Sequence, residues 1–188
     1  MLNRDYIVML SKRETDINEH LLTLYNLVLE LKAKVVVELG AGQSTFALCA
    51  GVNATEGHLF SIDKVADAHL RLFPGGEGIL EPEPRRHFIQ GDDVAIAMMW
   101  NEGIDFLFID TSHEREHTKK ELEEWGKWVK VGGKIALHDT FHKVGHAVGC
   151  RVGVDEFLGE NLGMYSVVHH EFKGGLSILT KLNAKKTD

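Results

Sequence analysis

Acidic side chains recur at one kind of place in this sequence, the residues that close a short apolar run. Glu38 is next to last in VVVEL, Asp63 ends HLFSID, Asp92-Asp93 follow HFIQG, Asp110 follows IDFLFI and His138-Asp139 follow KIAL. Carboxylates gathered along one edge repel, so they gain from cationic or hydrogen-bond-donating partners that a ligand or a metal would supply. Gly40-Ala41-Gly42 lets a backbone turn approach a ligand closely, although a purely structural turn reads the same way. Side chains at Gly40 and Gly42 are therefore expected to be poorly tolerated. Thr45 stands where a dinucleotide fingerprint wants its third glycine, which disfavours a pyrophosphate cradle. Asp63 lies at the spacing, about twenty residues on, that suits acceptance from ribose hydroxyls; a helix N-cap is the plainer reading. Asp110 and His138-Asp139 close neighbouring strands about 4.8 Å apart, so they can converge on one cation or one acceptor proton. Helix capping by Asp110 and loop anchoring by Asp139 remain open. His113 and His117 are one helical turn apart, as are His142 and His146, and polar surface is the default reading of such pairs.

These residues need elements that hold them. Asp16 followed by Glu19, with Leu21, Leu24, Tyr25, Val28 and Leu31, predicts a helix over 16–32. Val35-Val36-Val37-Glu38-Leu39 predicts a buried parallel strand. The chain then alternates: a helix from Phe46 to Val52, a strand over 58–63, a short helix, a strand over 87–90, a further helix, and a strand over 104–109. A helix is predicted from His113 to Val129, capped by Ser112, with Leu122, Trp125 and Val129 as its buried stripe. Gly132-Gly133 reads as the turn into a fifth strand over 134–137. A helix over 152–162 leads to a hairpin of strands 164–170 and 176–181, turned at Gly174-Gly175. Residues 73–86 read as a loop at the opposite edge of the sheet from any ligand. Strand–helix alternation implies right-handed crossovers and a doubly wound α/β sheet of seven mainly parallel strands, with an antiparallel last strand and helices on both faces.

At 188 residues the chain is read as one domain: a helical segment over 1–33, a sheet core over 34–181 and a short tail. A net charge of −7 argues against nucleic acid as a partner. The apolar runs fall short of a membrane span, and the N-terminus lacks a signal peptide's cleavage region. Cys49 and Cys150 have neither metal-ligand nor redox spacing, so the expected location is cytoplasmic. A homo-oligomer stays open.

The run Val36-Val-Glu-Leu-Gly-Ala-Gly-Gln-Ser-Thr45, then Ser61-Ile-Asp63, then Gln90-Gly-Asp92 resembles the cofactor site of class I S-adenosylmethionine-dependent methyltransferases. Phe108-Ile-Asp-Thr-Ser-His113, a long helix, and Gly132-Gly-Lys-Ile-Ala-Leu-His-Asp-Thr140 resemble the branch with macrocin-type O-methyltransferases and cephalosporin-hydroxylase-like proteins. The resemblance covers residues 16 to 181. It implies that Glu38 and the turn Gly40, Ala41, Gly42 lie by the methionine moiety, that Asp63 holds the ribose and Asp92 lies by the adenine, and that Ser44 and Asp110 complete the cofactor-binding residues. Gln43 departs from the third glycine of many methyltransferases. The fourth strand ends in Ile-Asp-Thr and lacks the Pro-Pro-aromatic of amino-group DNA methylases, and neither cysteine follows a proline.

Oxygen methylation of a small-molecule acceptor is the class these features leave. A hydroxyl must lose its proton to attack a methyl, so a base or a Lewis-acid metal is useful. Asp110, His113, His138 and Asp139 are the candidate catalytic residues. Asp110, His138 and Asp139 match the three Mg²⁺ ligands of metal-dependent relatives, but the imidazole at the middle position suits Mn, Fe or Zn better. Two other readings stand beside this one: a metal-dependent hydrolase or oxygenase with an Asp/His site, and a non-catalytic nucleoside-binding module.

Overall fold

The computed structural model describes residues 2–66, 83–141 and 148–183. Helix α1 (Arg4–Leu10) opens the chain, capped by the Asn3 side chain, which accepts from the Tyr6 amide. A 3₁₀ turn at Asn18–His20 leads into α2 (Leu21–Glu30). Then follow β1 (Val35–Leu39), α3 (Ser44–Thr55), β2 (His58–Asp63), β3 (Arg86–Gln90), α4 (Asp93–Ala97) and β4 (Ile104–Ile109). The chain continues through α5 (Arg115–Trp125), β5 (Val129–His138), α6 (Val148–Glu160), β6 (Tyr165–His170) and β7 (Leu176–Lys181).

The sheet order is β3-β2-β1-β4-β5-β7-β6. The first five strands of that order pair in parallel, and β7 runs antiparallel to both β5 and β6. This is the doubly wound sheet with one reversed strand that the strand–helix alternation predicts. All five residues of β1 are buried because both faces are covered. Val36 packs with α1, α2 and α3, whereas Val35, Val37 and Leu39 pack with Trp125 and Phe157 on the other face.

Several element bounds differ from expectation. The Asp16–Glu19 capping box does not form: α2 has no side-chain cap, and Asp16 accepts only from the adjacent Ile17 amide. Ile17 is drawn into the core, and a 3₁₀ turn takes up the start of the expected helix. The helix expected from His113 begins after Glu114, because His113 adopts a left-handed backbone (φ 58°) that no helix accommodates. It ends at Trp125, since Val129 pairs with Ile104 in the sheet. Gly132-Gly133 makes no turn into β5; the pair lies inside the strand, where the register against β4 slips between Ile104 and Phe106 and Gly132 takes φ 81°. Helix α6 begins earlier than expected, at Val148. The short helix expected after Asp63, most of the 73–86 loop, His142 and His146 fall outside the described residues.

Candidate active site

The C-terminal ends of β1, β2, β3 and β4 meet around one cleft, and the end of β5 lies beside that of β4. The turn after β1 passes between the ends of β2 and β4: the Gly40 amide donates to the Ile62 carbonyl, and the Asp110 amide donates to the Leu39 carbonyl. Gly40 has φ 82°, and a Cβ there would collide with the Asp110 carbonyl oxygen. Gly42 differs. Its φ is ordinary and nothing lies within 4 Å of its Cβ position, so the backbone does not demand glycine there.

The acids find cationic or hydrogen-bond-donating partners within the protein itself, the kind of partner that a ligand or metal could also supply. Glu38 is fully buried and accepts from the hydroxyls of Ser44 (2.5 Å), Thr45 (2.8 Å) and Ser61 (2.8 Å). Thr45 Oγ1 in turn accepts from the Gly42 amide, so Glu38 and Ser44 brace the glycine turn from beneath and do not line the cleft. Burial pushes the Glu38 carboxyl up to about 7 despite these donors. Asp63 accepts from the amides of Ala41 (3.1 Å) and Val65 (2.8 Å). Asp92 is half exposed; it caps α4 through the Ala95 amide and pairs with Lys64 at 3.1 Å. Its neighbour Asp93, not Asp92, lines the cleft with Gly40, Asp63, Asp110 and His117.

The cleft holds about 260 Å³. A larger hollow of about 460 Å³ lies beside α5, α6 and β6, but it lacks a matching convergence of acids and histidines. At the rim of the smaller cleft stand two acids and two imidazoles. His113 Nε2 is 3.1 Å from Asp110 Oδ1 and 3.2 Å from Asp139 Oδ2. His138 Nδ1 lies beneath, 3.6 Å from Asp110 and 3.5 Å from Asp139, and is almost completely enclosed. Asp139, like His113, sits in the left-handed region (φ 56°), so two non-glycine residues carry backbone strain beside the site. Burial would raise the Asp110 carboxyl, but hydrogen bonds from His113 and His138 outweigh it and hold that carboxyl below its usual range. The same bond to Asp110 raises His113. Burial would lower His138, yet the two carboxylates carry it up to about 10.

All four predicted catalytic residues are therefore brought together. The trio expected to hold a metal contained His138; the trio whose ligand atoms lie within 4.8 Å of one another is Asp110, His113 and Asp139. His113 and His117 do not form a pair, because His113 precedes the helix. His117 instead meets Asp93 and Glu121, a cluster visible in the sequence only as the i,i+4 spacing of His117 and Glu121.

A model of the family described as "Methyltransferase domain" matches residues 37–140, more than half of the chain. The chain belongs to that methyltransferase domain family. The matched span contains Glu38, the glycine turn, Asp63, Asp110, His113, His138 and Asp139. A methyltransferase from Geobacter sulfurreducens superposes with a TM-score of 0.69 at 16% identity, over 97% of this chain and 91% of that one. An O-methyltransferase from Bacillus cereus in complex with SAH gives 0.67 at 14%, over 94% and 90%. The O-methyltransferase TomG from Streptomyces achromogenes, involved in tomaymycin synthesis and solved with SAM, gives 0.64 at 13%, over 88% and 81%. At these identities the likeness establishes the methyltransferase fold. Among the described residues no helix is long and apolar enough to cross a membrane.

Proposed function

We propose that this methyltransferase binds S-adenosylmethionine in the cleft between Gly40, Asp63 and Asp110 and methylates an oxygen of a small-molecule acceptor. The observation that carries the reading is the position of Asp110, which lines that cleft and also belongs to the acid–histidine cluster at its rim. The donor set fits the cofactor. Each Asp63 oxygen accepts one backbone amide, and a carboxylate with about four acceptor sites keeps room for ribose hydroxyls. Asp63, Asp93 and Asp110 give the cleft an acidic wall suited to a cationic ligand. When bound, the cofactor supplies a methyl already activated on a sulfonium.

The chain's own work is alignment and proton removal. The acceptor oxygen is held at the Asp110 rim and loses its proton to the Asp110–His113–Asp139 cluster, with His138 as the enclosed countercharge. Asp63 and Asp110 would hold the cofactor while that oxygen takes the methyl, the new O–C bond replacing the C–S bond and leaving a neutral thioether. A second reading places a divalent metal on Asp110, His113 and Asp139, favoured by the closeness of their ligand atoms; it would acidify the acceptor directly. The family match favours neither the hydrolase or oxygenase reading nor the passive nucleoside-binding one. The B. cereus and S. achromogenes structures are O-methyltransferases, which supports oxygen as the acceptor atom. Cys49 and Cys150 are both buried and unpaired, as cytoplasmic thiols are.

The test is calorimetric titration with S-adenosylhomocysteine, joined to a methyl-transfer assay on hydroxylated small molecules with and without chelator. Asp110→Asn should keep at least part of the cofactor affinity and lose turnover. Absence of S-adenosylhomocysteine binding by the unaltered protein sinks the reading, and turnover indifferent to chelator removes its metal form.

A further inference from the structure

Asp93, His117 and Glu121 form a second cluster, with Asp93 and His117 on the wall of the cleft. Asp93 opens α4, whereas His117 and Glu121 are one turn apart on α5. His117 Nε2 is 3.1 Å from Asp93 Oδ2 and 3.4 Å from Glu121 Oε1. The ligand atoms of all three lie within 4.8 Å of one another. An ion bound at about 2.0–2.2 Å by one nitrogen and two oxygens leaves neighbouring ligand atoms about 3.0–3.5 Å apart, which matches these separations.

A second observation is independent of those distances. Glu121 is completely buried; its Oε1 accepts from the Thr111 hydroxyl at 2.8 Å and faces His117, but its Oε2 has no hydrogen-bond partner among the described residues. A buried carboxylate oxygen without a donor is costly. The charge count points the same way. Two carboxylates, a neutral imidazole and a divalent ion sum to zero, so the ion leaves no net charge in that enclosed place. Lys64, the nearby cation, is exposed and paired with Asp92. Asp93 and His117 both line the cleft, so an ion has a route in.

We infer that Asp93, His117 and Glu121 bind a first-row divalent cation, with Zn²⁺ as the best match to one imidazole and two carboxylates. This site clamps α4 to α5 along the cleft wall and is separate from the Asp110–His113–Asp139 trio. It stands whether or not the methyl-transfer reading holds.

The experiment uses the full chain carrying Asp110→Asn and Asp139→Asn, which disables the rim trio, after chelator treatment and dialysis. Zn²⁺ titration, read by equilibrium metal content and thermal melting, should show one retained equivalent and a raised melting temperature. Adding Glu121→Gln, or separately His117→Gln, should abolish that equivalent while the circular dichroism spectrum stays that of the folded chain. Anomalous scattering at the zinc edge from crystals of the unaltered protein grown with Zn²⁺ locates the ion without any variant. A peak between Asp93, His117 and Glu121 supports the site. No retained zinc in the rim variant, zinc retained equally after Glu121→Gln, or no anomalous peak at the cluster overturns it.

Discussion

Gly40 and Gly42 share one turn but face different constraints. The left-handed backbone at Gly40 and its closeness to the Asp110 carbonyl mean that Gly40→Ala must push β4's end away from β1. A loss of about 1–3 kcal/mol in urea unfolding is expected, with weakened S-adenosylhomocysteine binding. Gly42→Ala should be nearly neutral in unfolding, so any loss of affinity there reports the ligand itself. Equal destabilisation by both changes would contradict the geometry. Asp63→Ala should weaken S-adenosylhomocysteine binding by about 1.5–3 kcal/mol, the worth of hydrogen bonds to a charged acceptor. Unchanged calorimetric affinity would move the ribose elsewhere.

At the scale of elements, α6 is keyed into the segment that presents His113. A Cβ at Gly149 would lie 2.6 Å from the His113 carbonyl oxygen, and one at Gly153 would lie 2.6 Å from that of Arg115. Gly149→Ala should therefore lower the melting temperature and displace His113, costing about 1–3 kcal/mol and slowing methyl transfer. Gly159→Ala, near the open end of the same helix, meets nothing within 4 Å and should stabilise by up to about 1 kcal/mol through helix propensity. Thermal melting of the two variants separates close packing from a general effect of alanine in α6. These contacts also show which parts of the chain were legible beforehand. The strands at 35–39, 58–63, 104–109 and 176–181 were readable because apolar residues run unbroken or nearly so where both faces are covered. The start of α5 was hidden because helical spacing includes His113, which in the folded chain takes a left-handed backbone and meets Asp110 and Asp139. The Gly132-Gly133 slip was hidden because a bulge and a turn use the same residues. Asp110, His138 and Asp139 were legible from strand ends and His113 from the family resemblance of the Phe108–His113 run, whereas Asp93 meeting His117 depends on how α4 packs against α5.

For the whole molecule, the enclosed Glu38 ties stability to pH. Its folded-state pKa of about 7 lies above the ordinary value of 4.5, so the folded chain holds this proton more tightly than the unfolded one. Stability from this group is complete below about 4.5 and is lost as pH rises through about 7, by at most about 3 kcal/mol. Arg86, whose guanidinium donates to Ser61, softens that loss. Urea unfolding at pH 5 and pH 8 should therefore show Glu38→Gln gaining on the unaltered protein as pH rises. A difference between the two proteins that does not change with pH would mean that Glu38 is already ionised across the range.

The position of β7 between β5 and β6 has a consequence for the order in which the molecule can be completed. The ribosome delivers β6 first, but among the described residues β7 is the one strand that pairs with it, so β6 waits without a strand partner until residues 176–181 have emerged. Until then β5, which carries His138, also presents a bare edge. A message truncated after Gly175 thus removes one strand from the chain and two from the sheet, and its product should be a substrate for chaperones and proteases.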